Sequence, residues 1–210
     1  MAGMSGSARH SKGSKRELSV SKELSKWSGE HFMRTLQSGA GGTRAVDDLR
    51  MTGDIFAPLG SKNSFSYEVK DHKATTLENV FMNTGEIPSF WEQCTTDCRR
   101  VKKFGYSPML IFHIDRRGDF VLMPYLDWTF DQLVKNNQRV AKLITYYTIK
   151  RTGVRYDFDT LLTNMDGLQS LDAQDTFKHY HNLNWDSKHT TQDVLSPEQE
   201  VDELFGKADK

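Results

Sequence analysis

Residues 108–114, Pro-Met-Leu-Ile-Phe-His-Ile, form a continuous apolar run. So short a segment with no polar face reads as a strand buried on both sides, which needs further layers of structure above and below it. Asp115-Arg116-Arg117-Gly118-Asp119 reads as a hairpin turn, and Asp119 to Met123 then pairs back along the run. Helical patterning is predicted over 74–82, 88–104 and 128–150, the last carried by Phe130, Leu133, Val134, Val140, Leu143, Ile144 and Tyr147. The expectation is an α/β chain with a mixed sheet flanked by helices.

A second strand carries the chemistry. From Ser64 to Lys70 the sequence alternates, with Phe65, Tyr67 and Val69 on one side and Ser66, Glu68 and Lys70 on the other. This predicts a half-buried strand. Gly53 to Ala57 reads as a shorter strand ending at Pro58, and the turn-rich Leu59-Gly60-Ser61-Lys62-Asn63 returns the chain into a hairpin. That pairing sets Asp54 beside Glu68, with Lys70 next on the same face. Magnesium takes hard oxygen ligands, keeps several waters and is held by one or two carboxylates together with substrate phosphate. Asp54, Glu68 and the Val69 backbone carbonyl offer such a set, and Lys70 supplies a compact positive charge to orient water or to offset charge at a phosphate. The competing reading is an ordinary Glu/Lys surface face.

Two upstream features weigh against that competitor. Residues 13–28 read as a helix whose Glu17, Val20, Ser21, Leu24 and Trp27 share one face. A carboxylate on an inward face is costly unless it is paired or ligates a metal, so Glu17 is a candidate third acid. After a short apolar strand at Phe32 to Leu36 comes Gln37-Ser38-Gly39-Ala40-Gly41-Gly42, flanked by Arg34 and Arg44. Glycines let a backbone approach a phosphate, and successive amides can cradle an anion. A flexible glycine linker would look the same.

The order of these parts resembles the PD-(D/E)XK nuclease superfamily, and within it phage and archaeal Holliday-junction-resolvase-like endonucleases. The likeness is carried by Gly13-Ser14-Lys15-Arg16-Glu17 opening a helix that ends Leu24-Ser25-Lys26-Trp27, then Arg34-Thr35 and Ser38-Gly39, then Gly53-Asp54-Ile55, Tyr67-Glu68-Val69-Lys70 and Phe90-Trp91-Glu92-Gln93. It spans roughly residues 12–125. Thr52-Gly53-Asp54 stands where the family carries Pro-Asp, which leaves the acid in place. The resemblance implies a restriction-endonuclease-like fold and magnesium-dependent cleavage of DNA, with manganese as a substitute. Glu17, Asp54, Glu68 and Lys70 take the catalytic positions, and Asp54, Glu68, Val69 and Glu17 the metal positions. Contacts to DNA are expected from Lys15, Arg16, Arg34, Ser38, Gly39, Arg44 and His72. Branched DNA is the expected substrate, in phage recombination or repair, and symmetric cutting of two strands implies a homodimer. A general nuclease of the same fold, and a DNA-binding scaffold that does not cleave, are the alternatives. Clustering carboxylates against phosphate argues against the scaffold.

Composition narrows the setting. The 210 residues carry 28 basic and 28 acidic side chains, so DNA would be met by local patches rather than a global field. No apolar run is long enough to span a bilayer and no secretory leader is evident, so a cytoplasmic protein is expected, in the host cytoplasm if phage-encoded. Cys94 and Cys98 lie four apart on one predicted helix and read as reduced thiols. The expected division is a flexible basic arm over 1–12, a nuclease core over 13–150 and a helical or irregular C-terminal extension over 151–210 with an acidic tail. Near its end, Gln199, Leu204 and Phe205 faintly resemble a sliding-clamp-binding peptide; a frayed acidic tail is the plainer reading.

Overall fold

The structure, a computed structural model, describes residues 6–35, 52–186 and 188–191, with side chains described from residue 13 to 35 and 52 to 186. The expected contacts at Ser38, Gly39, Arg44, Gln199, Leu204 and Phe205 lie outside the described residues.

Helix α1 (Gly6–Ser28) leads to strands β1 (Met33–Arg34), β2 (Ile55–Phe56) and β3 (Phe65–Lys70). Helices α2 (Leu77–Met82) and α3 (Ile87–Val101) cross to β4 (Ser107–Ile114), which turns into β5 (Gly118–Pro124). Helix α4 (Asp127–Lys135), strands β6 (Ala141–Thr148) and β7 (Val154–Asn164), helices α5 (Met165–Gln169) and α6 (Ala173–Tyr180) and strand β8 (Lys188–Thr191) follow. The described strands form one sheet in the order β1-β2-β3-β4-β5-β7-β6, with β8 pairing the first residues of β7, Val154 to Asp157. Only β3 and β4 run parallel; every other pairing is antiparallel. The mixed, helix-flanked sheet expected from the sequence is the observed architecture.

The run at 108–114 is the sheet's centre. Met109 and Ile111 face a core formed with Val20 and Leu24 of α1 and Leu168, Phe177 and Tyr180 of the C-terminal helices. Leu110, Phe112 and Ile114 face a second core under Trp91, Cys94 and Cys98 of α3. Alternate residues of one strand thus pack into both layers. On α3 the buried residues Ile87, Trp91, Cys94, Cys98 and Val101 recur at helical spacing along one stripe.

Four expectations are corrected. First, α1 starts at Gly6, so most of the supposed arm is helical. No proline interrupts it, and one internal glycine costs a helix only about 1 kcal/mol. Second, β3 is buried on both faces up to Val69, because α3 covers the side that carries Ser66 and Glu68. Third, the 128–150 helix is two elements. α4 stops at Asn136, Asn137 adopts a left-handed φ of 53°, and the β-branched and aromatic residues of 143–148 extend as β6. Fourth, the core does not end near 150. β7 is inserted between β5 and β6, and buried Phe177, Tyr180 and Trp185 continue the packing.

The outer edge of β6 is partly closed by a side chain. Asn83, left-handed at φ 51°, donates from Nδ2 to the Tyr146 carbonyl (2.8 Å) and accepts from the Tyr146 N–H (3.2 Å). One amide thereby imitates a neighbouring strand. Asn83→Ala should cost about 1–3 kcal/mol in urea unfolding, because two backbone groups lose their partner. Asn83→Gly, which relieves the left-handed backbone but restores neither bond, should recover little of it. Among the described residues no helix is long and apolar enough to cross a membrane.

Candidate active site

The site forms where β2 meets the C-terminal end of β3. Gly53 makes the approach feasible: its φ is +96°, and a Cβ there would lie 2.5 Å from the Tyr67 carbonyl oxygen. Only glycine fits, which gives a local reason for Gly-Asp at this position. The next residue is tied on three sides. The Asp54 N–H donates to the Tyr67 carbonyl (2.9 Å), and its own carbonyl accepts from the Thr35 N–H (2.8 Å). Its Oδ2 accepts from the Val69 N–H (2.8 Å). The carboxylate is therefore clamped beside Glu68 by the Val69 amide.

Glu68 lies under α3 and is 2% exposed, and Asp54 is 9% exposed. Lys70 donates to Glu68 Oε1 and to Oε1 of Gln93 on α3 (2.9 Å). Burial pushes the Asp54 carboxyl up to about 6, against the pull of the Val69 N–H and Lys70. Burial, then the Asp54 charge, pushes Glu68 up to about 8, although Lys70 favours its ionised form. Glu17 adds repulsion at Asp54, and Asp97 at both acids. Two acids that share one lysine and little water are short of positive charge.

The other expected residues divide clearly. Glu17 is buried on the inward face of α1, within electrostatic reach of Asp54, but its Oε2 accepts from Arg34 Nε (3.1 Å). Arg34, expected to meet DNA, is thereby engaged inside the protein. Arg16 contacts Asp119 (3.2 Å) and Asp71 (3.5 Å), and Asp119 also holds His113 Nδ1 (2.7 Å). These contacts anchor α1 to the end of the sheet. His72 pairs with Glu86 (2.8 Å), and Lys15 is exposed on α1. Sequence reasoning gave no role to Gln93 or Asp97. They lie four apart on α3, one helical turn, and that spacing was the available signal.

Among the described residues no three His, Cys, Asp or Glu side chains are grouped closely enough to hold an ion. Cys94 and Cys98 are buried and free. The donor set is the pair Asp54 and Glu68. It fits a magnesium-like ion, which uses one or two carboxylates and fills its remaining positions with water and phosphate. It does not resemble a structural zinc site.

A model of a phage putative PDDEXK endonuclease family matches residues 8–178. Comparison with curated proteins and with solved structures gave no match. The matched span takes in most of α1, the Asp54, Glu68 and Lys70 cluster, α3, β7 and most of α6.

Proposed function

The chain belongs to the phage putative PDDEXK endonuclease family, and we propose that it is a divalent-metal-dependent endodeoxyribonuclease that hydrolyses phosphodiester bonds of branched DNA. The observation that carries this reading is the pairing of two buried carboxylates with one lysine at the end of β3. Members of the PD-(D/E)XK superfamily generally use divalent metals, and here Asp54 and Glu68 would hold the ion, with magnesium as the physiological choice and manganese as substitute. When bound, the ion supplies an activated water and neutralises charge on the phosphate. The chain's own residues do the rest. The Val69 N–H fixes one Asp54 oxygen and leaves the other for coordination. Gln93 steadies the Lys70 ammonium when it leaves Glu68. Lys70 then faces the attacking water or the phosphate oxygen on which charge builds. α3 shields the cluster from bulk solvent and strengthens each of these interactions.

Preference for branched DNA rests on the order of motifs shared with resolvase-like enzymes. Paired cuts in opposing strands would need two copies about a two-fold axis. The test incubates the protein with four-way junctions, perfect duplex and single strands, with magnesium and with chelator. Junctions should carry paired cuts in opposing strands, and chelator should stop all cutting. Cleavage limited to linear duplex would remove the branched-DNA assignment and leave the nuclease. Cleavage undiminished by chelator would remove the metal.

A further inference from the structure

The sheet end that carries Lys70 also carries a second feature. Strand register sets Lys70 in one row with Phe112, Phe120 and Asn164, and Glu68 in the next with Leu110, Leu122, Leu162 and Ala141. Cross-strand partners share a face. Phe120, Leu162, Asn164 and Ala141 therefore lie on the same sheet face as the acids, three or more strands along for the last three. There they line a cavity of about 340 Å³, together with Leu77 and Phe81 of α2. At about 4.8 Å per strand, Leu162 lies about 14 Å from Glu68. That is about four nucleotides along a strand rising about 3.4 Å per nucleotide.

The cavity is apolar and aromatic within, and Arg117 and Arg139 stand at its wall. Both are exposed, and neither side chain has an ion pair or hydrogen bond among the described residues. Arg16, Arg34, Arg99, Arg100 and Arg155 each face a carboxylate, whereas Arg116 and Arg151 share the unpaired state of Arg117 and Arg139 among the described residues but do not line the cavity. Phe81 lines the cavity and is 56% exposed, so it is open to a ligand there. Asn164 adds an amide, one end of which already holds the Gly167 N–H.

We propose that this cavity takes an unpaired nucleobase of the DNA strand that passes the Asp54 and Glu68 site, with Phe81 and Phe120 against the base and Arg117 and Arg139 on the flanking phosphates. The inference rests on the nuclease reading and deepens it. Aromatic walls offer stacking that tolerates any base, and two uncompensated guanidiniums match a backbone. A base can enter only where the strand is not fully paired, so the cavity favours branch points, flaps and frayed ends over perfect duplex.

The test measures binding in chelator, so that cleavage does not intervene, using fluorescent duplexes with and without a short unpaired arm. Phe81→Ala should weaken binding of the armed duplex by about 10-fold more than that of the perfect duplex. Phe81→Trp should restore it. Replacing Arg117 and Arg139 together by alanine should lower the slope of log affinity against log salt by about two. Equal losses on both DNAs with Phe81→Ala, or no loss, would overturn the base pocket. Selective binding of the armed duplex without cleavage in magnesium would instead remove the nuclease reading and leave the pocket standing.

Discussion

Asp54→Asn should abolish cleavage and yet leave the metal-free protein more stable than wild type. The activity loss follows from removing one of the two carboxylates that would hold the ion, and on the order of 10²–10³-fold is the expected minimum. The stability gain follows from burial. Asp54 is 9% exposed, and burial already pushes its carboxyl up to about 6, so near neutral pH it carries a charge that the fold resists. Asparagine keeps an oxygen for the Val69 N–H and removes both that charge and its repulsion from Glu17 and Asp97. A gain of about 1–2 kcal/mol near neutral pH is expected. Single-turnover cleavage with magnesium and thermal unfolding in chelator read the two effects separately. A variant that still cuts would remove Asp54 from the mechanism. One that is inactive and also less stable would mean that the carboxylate contributes to folding, contrary to its burial beside like charge.

Local pattern revealed the elements that held the chemistry. Asp54 and Glu68 could be placed together because a short strand, a turn and an alternating strand lie in sequence, and a hairpin needs nothing distant. The 108–114 run fixed the sheet's centre for the same reason. What escaped depended on partners far along the chain. The apolar positions of 128–150 fit a helical period, but the Asn136-Asn137 turn and pairing with β7 made β6. β7 itself shows alternation in Val154, Tyr156 and Phe158 against Arg155, Asp157 and Asp159, a period-two signal present in residues read as an extension. Glu68 looked half-exposed because nothing in its own strand announces that α3 will cover it. Arg34 looked free because its partner, Glu17, sits 17 residues earlier on a different element.

Stability of the metal-free protein should fall as pH rises from about 4.5 to about 8, and Glu68→Gln should flatten much of that fall. Glu68 has an ordinary value of 4.5 and is held at about 8 in the fold. Between those values the folded protein keeps a proton that the unfolded chain has released. Folding therefore takes up a proton, and stability is lost with rising pH at up to about 1.4 kcal/mol per unit for one group. The contribution is fully present below about 4.5 and gone above about 8. Asp54 adds a smaller loss in the same direction between its ordinary 3.8 and about 6. The wild-type minus Glu68→Gln difference removes what the remaining acids and histidines contribute to both proteins. Because the two acids interact, the variant also relieves Asp54, and the drop should amount to a few kcal/mol at most. A dication supplies the charge that the protons supplied at low pH. Magnesium added at pH of about 8 should therefore stabilise the wild-type protein, by about 2.7 kcal/mol at a hundredfold excess over its dissociation constant, and so raise its melting temperature, while leaving Glu68→Gln nearly unmoved. Parallel pH profiles for the two proteins, or an equal response to magnesium, would mean that the buried pair is not the seat of ion binding.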